Sequence, residues 1–146
     1  TVKGSASSQI PMYQWVHVAV SRESNHTRGY VNGVQVFDFT GAHNIAAPYS
    51  TAYIGGYGQC LDGKISNVRV VKGTAVYTSN FIPPNADLTN ISGTGLLCCQ
   101  STTSATAASV APGSITASGN IRSDLKNPFD EKFFTVPNGS PEKLNY

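Results

Sequence analysis

Thr27-Arg28-Gly29-Tyr30-Val31-Asn32-Gly33-Val34-Gln35-Val36-Phe37-Asp38-Phe39 is the stretch that decides the fold. Two runs rich in β-branched and aromatic residues flank Asn32-Gly33. Asn-Gly accepts the positive φ angles of a type I′ turn, whose twist matches paired strands. The stretch therefore reads as a β-hairpin. Before it, Glu23 to His26 is a polar turn. Tyr13 to Arg22 is the first strand, in which Val16, Val18 and Val20 alternate with Trp15, His17, Ala19 and Ser21. Both of its faces are fairly apolar, as suits a central strand of a sandwich.

Beyond the hairpin, Gly41 to Ser50 reads as a loop and Thr51 to Ile54 as a short strand ended by Gly55-Gly56. Tyr57 to Leu61 is a loop or a strand. Lys64 to Val71 is a strand with a bulge expected at Ser66-Asn67, where the alternation fails. Thr74 to Asn80 is expected to form one helical turn, and Pro83-Pro84 stops regular structure after it. Gly95 to Gln100 reads as a buried strand. In Ser101 to Gly119, 14 of 19 residues are Ser, Thr or Ala, so the segment buries little. It is expected to be a surface connection with an edge strand near Ser114 to Ser118. After Ile121 the composition shifts. Residues 122–146 hold 8 of the chain's 18 charges, together with Phe129, Phe133 and Phe134. Each Phe gains on the order of 2 kcal/mol on burial, which favours a tail docked on its own domain or on a neighbour. The expected organisation is a β-sandwich over 1–121 and a tail over 122–146.

The 146 residues suit one domain, and 40% of them are apolar, enough for a core. Only 12% are charged, against about 25% in ordinary domains. A surface with few ions is easier to bury against neighbours, so an oligomeric or multi-copy setting is expected. The net charge is +2 with no basic run, which argues against a nucleic-acid partner. No window has the apolar length of a membrane span, so no insertion is expected. Thr1 to Pro11 shows no signal-peptide pattern, and the first residue is not Met, so a processed chain or a fragment is expected. Cys60, Cys98 and Cys99 are a poor disulfide framework. They are expected as reduced, buried thiols made in a cytosol. His17, His26 and His43 lack the companions of a metal site, and no cofactor is expected.

The order of elements resembles a known family. Trp15-Val16-His17-Val18-Ala19-Val20, Gly29-Tyr30-Val31-Asn32-Gly33-Val34, Tyr53-Ile54-Gly55-Gly56 and Leu61-Asp62-Gly63-Lys64-Ile65-Ser66-Asn67-Val68-Arg69-Val70 resemble the C-terminal half of a laminin G-like, concanavalin A-like lectin domain. Val71 to Pro84 and Leu96-Leu97-Cys98-Cys99-Gln100 extend the likeness to residues 13–121. They are similar to the variant in bacteriophage virion proteins, especially those of marine cyanophages. The resemblance implies an all-β, antiparallel jelly-roll sandwich that binds glycans, lipids or proteins at a rim or on a concave sheet. The Trp-His-Val-Ala strand normally lies mid-domain, yet here it starts at Trp15. The N-terminal strands are therefore expected to lie outside this sequence, or another chain completes the sandwich. Half a sandwich would leave an open apolar face.

Catalysis is not expected. A glucanase of this fold needs two carboxylates facing each other across the scissile bond. The eight acids are Glu23, Asp38, Asp62, Asp87, Asp124, Asp130, Glu131 and Glu142. Only Asp130 and Glu131 are close in sequence, and strand neighbours point to opposite faces. Asp62 beside Gly63 is the one rim acid at a position matching calcium-binding relatives. One carboxylate falls short of six to eight oxygens, so a turn is the better reading. Trp15 and His17 lie in an apolar run and are read as packing and hydrogen-bonding groups. Gly55-Gly56-Tyr57-Gly58 lacks the Lys-Ser/Thr of a phosphate loop. The Asn25, Asn90 and Asn138 sequons arise often by chance, and the phage setting that the resemblance implies would leave them unmodified. The binding candidates are Tyr49 and Tyr57 with Asn44 and Gln59: flat apolar faces beside amides, suited to sugar hydroxyls or a protein partner. The resemblance thus implies a virion module, made in the host cytoplasm and placed on a capsid or tail appendage. Its expected partners are other virion proteins and host-surface glycans. A purely structural glue without a ligand is the alternative. A fragment of a glycan-active enzyme is the third.

Overall fold

The structure, a computed structural model, describes residues 10–41 and 51–129, the Tyr57 side chain excepted. It is all-β and antiparallel, and no helix occurs among the described residues. The first sheet has the order β1 (Val18–Glu23), β2 (His26–Val31), β3 (Val34–Thr40). A small ribbon pairs β4 (Gly56–Tyr57) with β5 (Gln59–Cys60). The second sheet has the order β6 (Val68–Val71), β7 (Thr94–Cys98), β8 (Ala108–Val110).

The hairpin forms as the sequence implies. Asn32 and Gly33 have φ of 49° and 78°, the left-handed pair of a type I′ turn. Gly33 cannot carry a side chain, because the Phe81 carbonyl oxygen would lie 1.9 Å from an added Cβ. The turn also limits β1. Val18 pairs with Val31, and the partner strand turns immediately after it. Residues before Val18 have no strand opposite, so the expected start at Tyr13 is corrected to Val18. Only His17 is held further, donating its N–H to Asn32 Oδ1 at 2.9 Å.

Four further expectations are corrected. β6 starts at Val68 and not at Lys64, because Asn67 has φ of 56° and breaks the extended chain. Thr51 to Ile54 is not a strand; the short pairing comes later, around Gly58, with positive φ at Gly55, Gly56 and Gly58. The helical turn at Thr74 to Asn80 is absent. Its donors and acceptors serve the hairpin instead: Phe81 N–H donates to Gly33 O at 2.9 Å, and Asn80 Oδ1 accepts from Gln35 N–H at 2.8 Å. The last edge strand is Ala108–Val110, earlier than Ser114 to Ser118. Ser101 Oγ accepts from the N–H groups of Thr103 and Ser104, and this tight hydroxyl turn returns the chain to β7 sooner.

The described core is small. Tyr30, Leu97 and Cys98 are its buried apolar members, and Ser21 of β1 is its buried polar one. Cys60 is exposed, which corrects its reading as a buried thiol; all three cysteines are free. Lys64 Nζ donates to Asp124 Oδ2 and ties the segment around residue 124 to the approach to β6. Residues 130–146, with Phe133 and Phe134, lie outside the described residues.

Candidate functional site

One register decides the site. Val31 pairs with Val34 and Tyr30 with Gln35, as a two-residue turn requires, but Gly29 pairs with Phe37 and Arg28 with Asp38. Val36 is therefore an extra residue, a bulge. A slip of one residue moves every later side chain to the other face. Beyond the bulge, Asp38 and Thr40 join Arg28 and His26, while Phe37 and Phe39 go to the opposite face. Gly29 makes this possible. The Phe37 ring lies over it, with Cε1 2.1 Å from where a Cβ would stand.

The face carrying Arg28 has two halves. Near the turn it is aromatic. Tyr77 and Phe81 stack with centroids 3.6 Å apart and planes at 8°. Phe81 meets Tyr30 edge-on at 5.3 Å and His17 at 5.5 Å. Tyr30 Oη donates to the Tyr77 carbonyl at 3.3 Å. Burial among these rings lowers the His17 pKa, so the imidazole is kept neutral, and its Nδ1 is enclosed without a hydrogen-bond partner.

The other half is charged. Arg28 Nε donates to Asp38 Oδ2 at 3.2 Å, and its Nη1 lies 3.6 Å from Glu23 Oε2. His26 Nδ1 lies 2.9 Å from Asp38 Oδ1 and 3.4 Å from Thr40 Oγ1. The hydrogen bond from His26, aided by that from Arg28, holds the Asp38 carboxyl below the usual carboxylate range. Between the halves lies an open cleft of about 650 Å³, lined by Arg28, Gln35, Asp38, Thr78, Ser79 and Asn80. Amide, hydroxyl, guanidinium and carboxylate groups thus converge beside a rigid sheet. That mix can hydrogen-bond a polar ligand from several sides.

Among the described residues, Asp38 is the one carboxylate that lines the cleft. A retaining or inverting hydrolase needs one carboxyl kept protonated as an acid. Asp38 is held below the usual carboxylate range and is engaged by His26 and by the Arg28 guanidinium. Among the described residues no cluster of His, Cys, Asp or Glu is arranged to hold a metal ion. No described helix is long and apolar enough to cross a membrane.

Two of the four residues of the sequence-derived site are described. Asn44 and Tyr49 lie outside the described residues. Tyr57 is placed in β4, its side chain outside the description, and Gln59 sits opposite it in β5, exposed. Gln59 does not line the cleft. The cleft residues were missed because the alternation of β3, read without a bulge, sends Asp38 to the wrong face. The clue was present in Gly29, a lone glycine inside a strand, which marks a bulge or a close approach.

A laminin G family model, described as the concanavalin A-like lectin/glucanases superfamily, matches residues 2–76. The chain belongs to this superfamily. The matched span contains the first sheet, the β4–β5 ribbon and β6, and with them Arg28, Gln35 and Asp38 of the cleft; Thr78, Ser79 and Asn80 lie beyond it. No curated protein and no solved structure matches the chain. The superfamily unites lectins and glucanases, so membership establishes the frame and leaves the activity to the residues of the cleft.

Proposed function

We propose that this superfamily domain is a lectin-like binding module without catalytic activity, carried in many copies on a phage capsid or tail appendage. The observation that carries the binding reading is the cleft between Arg28, Gln35, Asp38 and the Thr78-Ser79-Asn80 segment. Its ligand is a neutral or weakly polar glycan, held by amides and hydroxyls, with Arg28 and Asp38 offering a donor and an acceptor. Tyr57 and Gln59, paired across the β4–β5 ribbon, are a second candidate contact; Asn44 and Tyr49, outside the described residues, stand as candidates from the sequence. Weak binding at one copy is offset by multivalency on a particle. The virion setting rests on the resemblance of Trp15 to Gln100 to phage proteins and on the 12% charge content.

Glycan-array binding by the chain tests this reading. Reproducible binding lost in Asp38→Ala places the ligand in the cleft; loss in Tyr49→Ala or Tyr57→Ala places it at the rim. No binding above background on any array glycan rejects the lectin reading. Absence of the chain from purified particles rejects the virion setting.

A second reading, structural glue without a ligand, is favoured by a separate observation. Val18, Val20 and Val34 share one face of the first sheet and are 56%, 69% and 57% exposed. An open valine face with half-buried Phe37 and Phe39 is suited to a neighbour.

A further inference from the structure

Consecutive residues of a strand send their side chains to opposite faces. An adjacent cysteine pair therefore ordinarily keeps its thiols apart. Cys98 and Cys99 do not follow this rule. Cys98 closes β7 and is 2% exposed, while Cys99 leaves the strand with φ of 63°. This left-handed step breaks the alternation, and the two Sγ atoms lie 3.5 Å apart.

The step is held from outside. The Cys99 carbonyl accepts from Asn67 N–H at 3.0 Å and from Ser66 Oγ at 3.3 Å. Asn67, itself at φ of 56°, is fixed in turn. Its Oδ1 accepts from Leu88 N–H at 2.8 Å and from Gln100 Nε2 at 2.9 Å, and its Nδ2 donates to Asp87 Oδ1 at 2.9 Å. Three separate segments thus build the geometry that faces the thiols toward each other. A hollow of about 280 Å³ lies beside Cys98, lined also by Gln100, Ser101 and Ala107 to Ser109, and leaves the Cys98 side chain room to shift toward Cys99.

We propose that Cys98–Cys99 is an oxidative modification site, closed by a small hydroperoxide into a reversible disulfide between adjacent residues. Cys99 is the more exposed residue of the two and meets the oxidant. Its thiolate attacks the peroxide oxygen; the O–O bond breaks, the leaving oxygen departs as water or an alcohol, and Cys99 becomes a sulfenic acid. The Cys98 sulfur then attacks the Cys99 sulfur. The S–S bond forms, the S–O bond breaks, and the Cys98 proton leaves with the hydroxyl as water. Each sulfur gives up one electron, and the peroxide accepts both. Burial, reinforced by Cys99, pushes the Cys98 thiol up to about 12, so Cys98 stays protonated and leaves the first attack to Cys99; the 3.5 Å contact is what brings it into the second step. Adjacent Cα atoms stand about 3.8 Å apart, closer than the usual span of a disulfide. The bridge is therefore strained and easily reduced, and the modification reverses under a mild dithiol. Cys60, exposed on β5, is an internal comparison.

The test treats the whole chain with stoichiometric hydrogen peroxide, alkylates remaining thiols and maps the peptides. The expected result is one peptide holding both Cys98 and Cys99, lighter by two hydrogen atoms and resistant to alkylation. Dithiothreitol restores its mass, Cys99→Ser abolishes the change, and Cys98→Ser leaves Cys99 trapped as a sulfenic acid by a dione probe. Sulfinic acid on Cys99 with Cys98 still alkylated overturns the proposal. So does a Cys60-linked dimer with the pair untouched, a bridge from Cys60 to either cysteine, or no oxidation of the pair. The map of the unsubstituted chain decides the matter even where Cys98→Ser fails to fold.

Discussion

The two three-stranded sheets use their faces in different ways. In the β6–β8 sheet, Leu97 and Cys98 follow one another along β7 and are both 2% exposed. Successive strand residues face opposite ways, so this sheet is covered on both sides at its middle strand. In the β1–β3 sheet, Tyr30 is 1% exposed on the face that also carries the charged cluster, while Val18 and Val20 lie largely open on the other. One sheet is covered twice by its own chain and the other once. The strap from Tyr77 to Phe81 explains which face is closed. It spends its rings on Tyr30 and His17 and its polar groups on the hairpin edge. An antiparallel sheet can leave one face to water, but that face is ordinarily polar, so the bare valine face is where a neighbour has most to gain.

The largest test of this contrast is a pair of core truncations. Leu97→Ala should lower unfolding stability by about 2–5 kcal/mol, as a buried leucine does. Val20→Thr, on the open face, should stay within about 0.5 kcal/mol. Urea unfolding of both variants measures this. An equal cost at Val20 would mean that the valine face is covered in solution, and concentration-dependent stability would then identify a second copy as the cover.

A smaller effect is expected at the bulge. Gly29→Ala puts a methyl group into the Phe37 ring and should cost about 1–3 kcal/mol, as overpacking does. Gly29→Ala combined with Phe37→Leu should recover part of the loss, because the coupling is local. Strict additivity of the two changes would show that the ring does not lock the register. Loss of the register would also turn Asp38 away from Arg28 and His26, and chemical-shift changes at His26 would report it.

The smallest effect is the response to acid, and it separates the two halves of the cleft face. Burial depresses the His17 pKa, so the folded chain resists its protonation. The stability this contributes is present above the ordinary imidazole value of about 6.5 and is lost as pH falls below it. Asp38 is depressed by its hydrogen bonds from His26 and Arg28. Its contribution is present above the ordinary carboxylate range and is lost as pH falls through the lowered value. Thermal melts across this range should show both losses. His17→Gln should flatten the upper one, and Asp38→Asn the lower one. A profile unchanged by both substitutions would detach the titration from this face.

Much of the fold was legible in the chain. Asn32-Gly33 between two β-rich runs announced a hairpin, and its turn angles follow from what those residues accept. Leu96-Leu97-Cys98 announced a buried strand, and β7 runs through it. The boundaries were less legible, because an end depends on what lies opposite. Val16 and His17 are strand-like by composition, yet β2 has turned before it can pair with them. One helical turn is expected over Thr74 to Asn80, yet the stacked rings of Tyr77 and Phe81 and the hairpin edge hold the segment in an irregular strap.

The hairpin remains the clearest case of the division. Local sequence alone determined that Thr27 to Phe39 folds back on itself at Asn32-Gly33, since turn preference is a property of those two residues. It also determined low charge and the absence of a basic run. Only the tertiary structure decided which side chains meet. The extra residue Val36 and the Phe37 ring over Gly29 turn Asp38 toward Arg28, and the strap brings Thr78, Ser79 and Asn80 to them from some 40 residues away in sequence. The physical reason is that a strand has a period of two, so one bulge exchanges its faces, and nothing in a strand's own composition sets where a distant ring will press.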